Sequence, residues 1–306
     1  MNIFDLHCDT ITACYDRRLS LQHNGELHLS LERGSRYDPW VQCFAVWIPD
    51  TLRGQAAVDY FTAVAAFLEA TAAKTEQMIL CTKKEDLNKT GPVCHGLLTV
   101  EGGAVLAGDL SNIEHLHRHH VRALTLTWNG SCEIGDGAMV AHPRGLTPFG
   151  KQVIPALEEA DILVDVSHAS EPLFYDVASL AQKPIIATHS NARAICDHPR
   201  NLTDEQFLEI KRCGGLVGLN LHRWFLREDG EATLDDVFCH VAHFLSLGGE
   251  KTLALGTDFD GAELGKVLRG IEDLERLADD FSRRGLSDGL IHQIFYQNAK
   301  DFFDSL

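Results

Sequence analysis

The sequence predicts an α/β fold of the (β/α)8, TIM-barrel type, as one domain over residues 1–306. Eight short apolar runs rich in β-branched residues recur along the chain, and most are followed by a segment of helical period. The length suits one such barrel of roughly 250 residues or more.

The first run, residues 2–7, leads into His7-Cys8-Asp9-Thr10. It therefore lacks the glycine-rich turn of a doubly wound nucleotide-binding sheet, the runner-up architecture. After the second run, 41–47, a segment from about 52 to 74 puts Val58, Phe61, Ala65 and Leu68 on one helical face. The third and fourth runs are 96–100 and 121–127, and the fifth is 162–167. Its Ile162-Leu163-Val164-Asp165-Val166 is nearly apolar throughout, as a parallel strand covered on both faces requires. The sixth, 184–188, precedes a helix whose Thr203 and Gln206 fit a capping box, with Phe207 and Ile210 as its stripe and Gly214 beyond its end. Between the seventh run, 215–220, and the eighth, 252–257, Leu234, Val237, Phe238, Val241, Phe244 and Leu245 share one face. Thr233 caps that helix, and Gly248 and Gly249 end it. Two helical segments after residue 270 close the chain.

With 27 Lys plus Arg against 44 Asp plus Glu, the formal net charge of −17 argues against nucleic acid or an anionic membrane as partner. The N-terminus has neither a basic n-region nor a long apolar stretch, and no later run approaches the roughly 20 apolar residues of a spanning helix. A soluble cytoplasmic protein is expected. Nine cysteines, an odd number with no C-x-x-C pair, predict free buried thiols, Cys43 and Cys239 among them.

Active-site groups of a barrel collect at the C-terminal ends of its strands. Here those ends carry His7 and Asp9, then Glu101, His168, His189 and Asp258. Taken singly, each has an ordinary structural explanation: a satisfied histidine, a helix cap, a dipole partner. Six ionisable groups buried at one pole are costly unless they pair or bind a cation. In an extended strand residues i and i+2 point the same way, so His7 and Asp9 would hold one ion. His168 and His189 would hold a second, and Glu101 is placed to bridge both. Mixed nitrogen and oxygen donors suit two Zn²⁺, while Mn²⁺, Co²⁺ or Fe²⁺ also fit. Such a pair would supply a hydroxide and polarise a scissile carbonyl, with Asp258 moving the proton to the leaving group. The tract His115-Leu116-His117-Arg118-His119-His120 precedes the fourth strand at the far pole and reads as an exposed helix face. Neither a G-x-S-x-G elbow nor a P-loop occurs, which disfavours a serine hydrolase or an NTPase.

These residues resemble the membrane (renal-type) dipeptidases, peptidase family M19, over nearly the whole chain. The likeness rests on His7-x-Asp9, Val100-Glu101-Gly102-Gly103, Leu124-Thr125-Leu126-Thr127, Gly145-Leu146-Thr147-Pro148-Phe149-Gly150, Ser167-His168-Ala169-Ser170, Thr188-His189-Ser190, Arg200-Asn201 and Asp258-Phe259-Asp260-Gly261. The resemblance implies a two-zinc dipeptidase that tolerates a D-residue at the C-terminal position of its substrate. In it Asp258 contacts the dipeptide amine or shuttles the proton, and Arg200 binds the substrate carboxylate or the tetrahedral intermediate. Two departures bear on substrate contacts. Trp128, followed by Asn129, stands where studied members carry a substrate-binding histidine. Where the family often places a tyrosine, the loop reads Asn220-Leu221-His222-Arg223-Trp224-Phe225. Trp128, Asn129, Asn220 and Arg223 are thus the expected substrate contacts, with His222 as an alternative to Arg223. The animal enzymes' signal peptide and lipid-anchor segment are missing from this sequence, which resembles a soluble microbial relative. A homodimer is expected. Barrel lactonases, phosphotriesterases and nucleases are the alternative hydrolases, but they usually open with His-x-His and several use a lysine bridge. A non-catalytic metal-binding barrel is the remaining reading, and an activity assay separates it.

Overall fold

The computed structural model describes residues 1–89 and 93–306. Its strands, all paired parallel, are β1 Ile3–Cys8, β2 Trp40–Trp47, β3 Met78–Leu80, β4 Cys94–Glu101, β5 Ala123–Thr125, β6 Leu163–Asp165, β7 Val217–Leu219 and β8 Leu253–Leu255. Neighbours run β6-β5-β4-β2-β1-β8-β7. Single parallel bridges, Asp165 to Ile186 and Ala187 to Val217, close the gap between β6 and β7. The sixth predicted run, 184–188, thus fills the remaining barrel position. β3 lies outside the eight predicted runs. It pairs with the N-terminal half of β4, Met78 opposite Cys94, whereas β5 joins the other end, Thr125 opposite Glu101.

Side chains alternate across each strand, and this period divides the apolar residues into two cores. Phe4, Leu6, Val41, Cys43, Leu97, Ala123, Leu163, Ile186, Leu216 and Ala254 form the inner cluster, so every barrel position contributes. Ile3, Phe44, Val46, Leu98, Val100, Val164 and Val217 face outward into the layer shared with the helices. The chain's last helix, Asn298–Ser305, adds Ala299, Phe302 and Phe303 to the inner cluster, with Phe303 5.0 Å from the Phe4 ring. Asn298 ties this helix to the start of β8 by donating to the carbonyls of Glu250 (2.7 Å) and Leu253 (2.8 Å). The helix plugs the N-terminal end of the barrel and leaves the C-terminal mouth for the site. Phe303→Ala should therefore destabilise the fold by about 3–5 kcal/mol, the usual cost of emptying a buried phenylalanine site. Urea unfolding would measure the loss, and turnover per folded molecule should stay unchanged.

The outer helices follow their sequence signals. Gln55–Ala72 buries Val58, Phe61, Ala65 and Leu68. Asp204–Arg212 has the reciprocal Thr203–Gln206 capping box, and Leu234–Ser246 has one between Thr233 and Asp236. Among the described residues no helix is long and apolar enough to cross a membrane. All nine cysteines are free thiols; six are buried, Cys43 among them, Cys132 and Cys213 are partly buried, and Cys239 is exposed. It sits on the solvent side of Leu234–Ser246, a helix whose apolar residues are dense enough to make the position look internal.

Candidate active site

Six side chains from the strand ends meet in one buried cluster at the C-terminal mouth: His7, Asp9, Glu101, His168, His189 and Asp258 are each at most 8% exposed. β1 delivers His7 and ends at Cys8. Asp9 stands in the turn that starts the helix Thr10–Arg17, rather than in the extended geometry assumed from spacing. The two side chains still converge, with His7 Nε2 3.5 Å from Asp9 Oδ2. Glu101 ends β4 and divides its carboxylate: Oε2 lies 3.4 Å from His7 Nε2, while Oε1 lies 2.7 Å from His168 Nε2 and 3.7 Å from His189 Nε2. His168 and Asp258 adopt left-handed backbone conformations, φ 65° and 59°, which few non-glycine residues populate. Each costs on the order of 1 kcal/mol, and such strain is typical of functional positions. Gly261 lets the Asp9 and Asp258 carboxylates approach its Cα, where a Cβ would collide with both.

The protonation pattern follows from burial and these contacts. Burial drives Asp258 up to about 8 and Asp9 up to about 6, the latter helped by the Glu101 charge. Glu101 is held well below the carboxylate range: burial opposes its charge, but His168 and His7 overcome that penalty. Burial lowers His168 to about 4 and holds His189 well below the usual imidazole value, so both imidazoles are neutral near pH 7 and each has a ring nitrogen free of a proton.

Three buried polar atoms of the cluster have no hydrogen-bond partner among the described residues: His7 Nε2, His189 Nε2 and Asp9 Oδ1. Orphaned polar atoms of this kind are costly and usually mark a missing partner. The donor atoms of His7, Glu101 and His189 lie within 4.8 Å of one another, as do those of His7, Asp9 and Asp258. Neutral His168 and His189, the anionic Glu101 and the unsatisfied atoms fit divalent cations. Cation uptake must displace the proton that Asp9 and Glu101 hold on His7 and, at lower pH, the Asp9 proton. Affinity of metal-free protein for Zn²⁺, followed by calorimetry, should therefore weaken as pH falls from about 7.5 to 5.5, through the Asp9 value of about 6.

A cavity of about 310 Å³ opens above the cluster, walled by Trp47, Trp128, Asn129, His222 and Phe225. Trp128 packs edge-on against Trp47 at 5.0 Å. Asn129 lines the cavity, but its Oδ1 is 3.0 Å from His168 Nδ1, so it also orients that imidazole. Asn220 is not a cavity wall. It is fully buried and donates to Asp258 Oδ2 (2.9 Å) and the His189 carbonyl (3.3 Å). Arg223 begins a short helix, stacks over Trp224 and pairs with Glu263 at 2.8 Å, while His222 lines the cavity. Arg200 is buried behind His189, its Nη2 3.4 Å from that residue's carbonyl and its Nε without a partner. The guanidinium lies 5.4 Å over Phe225, and burial lowers its pKa to about 10. Sequence reasoning missed Trp47, although it ends β2 where the strand-end rule points. The histidine tract lies on the helix Ser111–Arg118 and the turn after it. His115 bonds Thr62, His117 the Ala160 carbonyl and His119 Glu69, so these three serve packing.

Fold and site together define an α/β barrel with a cation-binding donor set at its C-terminal mouth. The family model for membrane dipeptidase (peptidase family M19) matches residues 1–302, and the chain belongs to that family. Among curated relatives, an uncharacterised protein in the pqqA 5′ region of Klebsiella pneumoniae is 33% identical over 209 residues, covering 65% of this chain and 77% of that protein. Human Dipeptidase 3 is 31% identical over 208 residues, 66% of this chain and 42% of that protein. The chain spans about half the length of most of the curated relatives it matches. Two crystal structures superpose over nearly the full chain with TM-scores of 0.92. Dipeptidase AC, a metallopeptidase of family M19, is 27% identical with 99% of this chain and 98% of that chain covered. A metallopeptidase from Rhodobacter sphaeroides, liganded with a phosphinate mimic of the dipeptide L-Ala-D-Ala, is 25% identical with 99% of both covered.

Proposed function

We propose that this chain is a binuclear zinc dipeptidase that cleaves the peptide bond of small dipeptides, including those with a C-terminal D-residue. The observation that carries the reading is the division of Glu101 between His7 on one side and His168 with His189 on the other. His7 and Asp9 would hold one cation, His168 and His189 the other, and Glu101 both. When bound, the cations would activate the attacking water and polarise the scissile carbonyl.

The remaining roles belong to the chain itself. Asp258, buried and held by Asn220, can take the proton released by the attacking water and pass it to the departing amine. The Arg200 guanidinium, with its unpartnered Nε, supplies positive charge for a substrate carboxylate or a developing oxyanion. Trp47 and Trp128 form an aromatic wall of the cavity beside the buried carboxylates. A cavity of about 310 Å³ is at the small end for ligand sites, which favours two residues over a longer peptide. The L-Ala-D-Ala mimic bound by the Rhodobacter relative supports tolerance of the D-residue.

A panel of L,L- and L,D-dipeptides, the matching tripeptides, lactones and phosphotriesters tests the proposal. Hydrolysis confined to free dipeptides is expected. Turnover of lactones or phosphotriesters in preference to every dipeptide would replace it with another barrel hydrolase.

A further inference from the structure

Beneath the ligand cluster lies a buried carboxylate that takes no part in the mechanism above. Asp165, the last residue of β6, is 1% exposed and has four hydrogen-bond donors around it. Oδ1 accepts from the Ser167 (2.9 Å) and Thr188 (3.0 Å) backbone amides, and Oδ2 from the Thr125 (2.5 Å) and Thr188 (2.6 Å) hydroxyls. Thr188 Oγ1 is also 2.8 Å from Nδ1 of the neighbouring His189.

A hydroxyl has one proton to give. With the Thr188 proton committed to the carboxylate, its oxygen can only accept at the imidazole, so His189 Nδ1 must carry the hydrogen. Nε2 is then left with its lone pair on the cluster side, 3.7 Å from Glu101 Oε1 and without another partner. Ser167 Oγ completes the arrangement by accepting the His189 backbone N–H at 3.1 Å, and it lies 3.3 Å from Thr188 Oγ1, to which it can donate. The backbone is closely fitted here: a Cβ on either Gly218 or Gly256 would collide with the Thr188 carbonyl oxygen.

We propose that Asp165 is a positioning residue that acts through the Thr188 hydroxyl to fix His189 as the Nδ1–H tautomer, making its Nε2 competent to bind a cation. The step from tautomer to cation rests on the ligand role given to His189 above. His168 is held differently: its Nδ1 faces Asn129 Oδ1 at 3.0 Å, while its Nε2 is within hydrogen-bond distance of Glu101 Oε1 at 2.7 Å. An amide can present either of its ends, whereas an ionised carboxylate only accepts. The direction of the Asp165–Thr188–His189 relay is therefore set at its buried end.

The test is ¹⁵N NMR of the imidazole rings in metal-free protein, paired with Zn²⁺ titration. His189 in the parent protein should show a protonated Nδ1 and a bare Nε2. Thr188→Ser should preserve that pattern. Thr188→Val, nearly isosteric, should lose it and weaken one of the two cation sites by about 10–100-fold, the usual effect of removing a partner behind a metal-bound histidine. Asp165→Asn presents a donor where the relay needs an acceptor, and should move the proton toward Nε2. A parent protein whose His189 carries its proton on Nε2 overturns the proposal without any variant having to fold. An unchanged tautomer and unchanged Zn²⁺ affinity in a folded Thr188→Val protein overturn it equally. If the predicted tautomers appear but the parent protein binds no Zn²⁺ and cleaves no dipeptide, the relay stands and the dipeptidase reading fails.

Discussion

Glu101→Gln should reduce kcat/KM for dipeptides by 10³-fold or more, about 4 kcal/mol of transition-state stabilisation, and should lower the bound cation content from two toward one. The substitution keeps the shape of the side chain but removes its negative charge. It also places an amide NH₂ beside the imidazole nitrogens: Glu101 Oε1 is 2.7 Å from His168 Nε2, and Oε2 is 3.4 Å from His7 Nε2. Whichever way the amide turns, a donor replaces an acceptor on one side. The lost charge also stabilises His7, whose pKa is raised well above the usual value because Asp9 and Glu101 outweigh its burial. Elemental analysis of dialysed protein, read beside kcat/KM, separates the loss of a cation from a simple loss of fold. Full activity with two cations retained would remove Glu101 from the bridging role.

Asp258→Asn should lower kcat by about 10²- to 10⁴-fold, the usual contribution of a positioned acid or base, with both cations still bound. Asp258 and Asn have nearly the same shape, and the Asn220 Nδ2 donor at 2.9 Å can serve an amide oxygen as well as a carboxylate. The new residue cannot take up and release a proton. Without cations, burial raises Asp258 to about 8, so its carboxylate binds a proton readily, as a group that takes the nucleophile's proton and returns it to the amine must. The diagnostic result is a fall in kcat with little change in KM or metal content. A loss confined to KM would assign Asp258 to binding the substrate amine instead.

The strand ends were legible in the sequence because a barrel turns one-dimensional position into three-dimensional convergence. His7, Glu101, His168, His189 and Asp258 lie far apart in the chain, yet each follows an apolar run that must be a strand. β3 was not legible: Met78–Leu80 is three residues long and only partly buried, and it leaves no periodic signal. The sixth run was visible as an apolar stretch, although it makes only single bridges. Side-chain direction was the harder matter. Arg223 is drawn outward by Glu263, and Asn220 inward by Asp258, through partners about 40 residues away. Asp165 read as one polar residue inside a strand. Its importance depends on Thr125 and Thr188 arriving from the neighbouring barrel positions, which spacing along the chain does not reveal.

The most direct test of the central claim is a Zn²⁺ titration of chelator-treated protein in which cation occupancy and L-Ala-D-Ala hydrolysis are followed in the same samples. Dipeptide cleavage should be absent without metal and should rise to its maximum only as the second equivalent binds. Cleavage that persists in metal-free protein, or its absence in protein carrying both cations, would contradict the account.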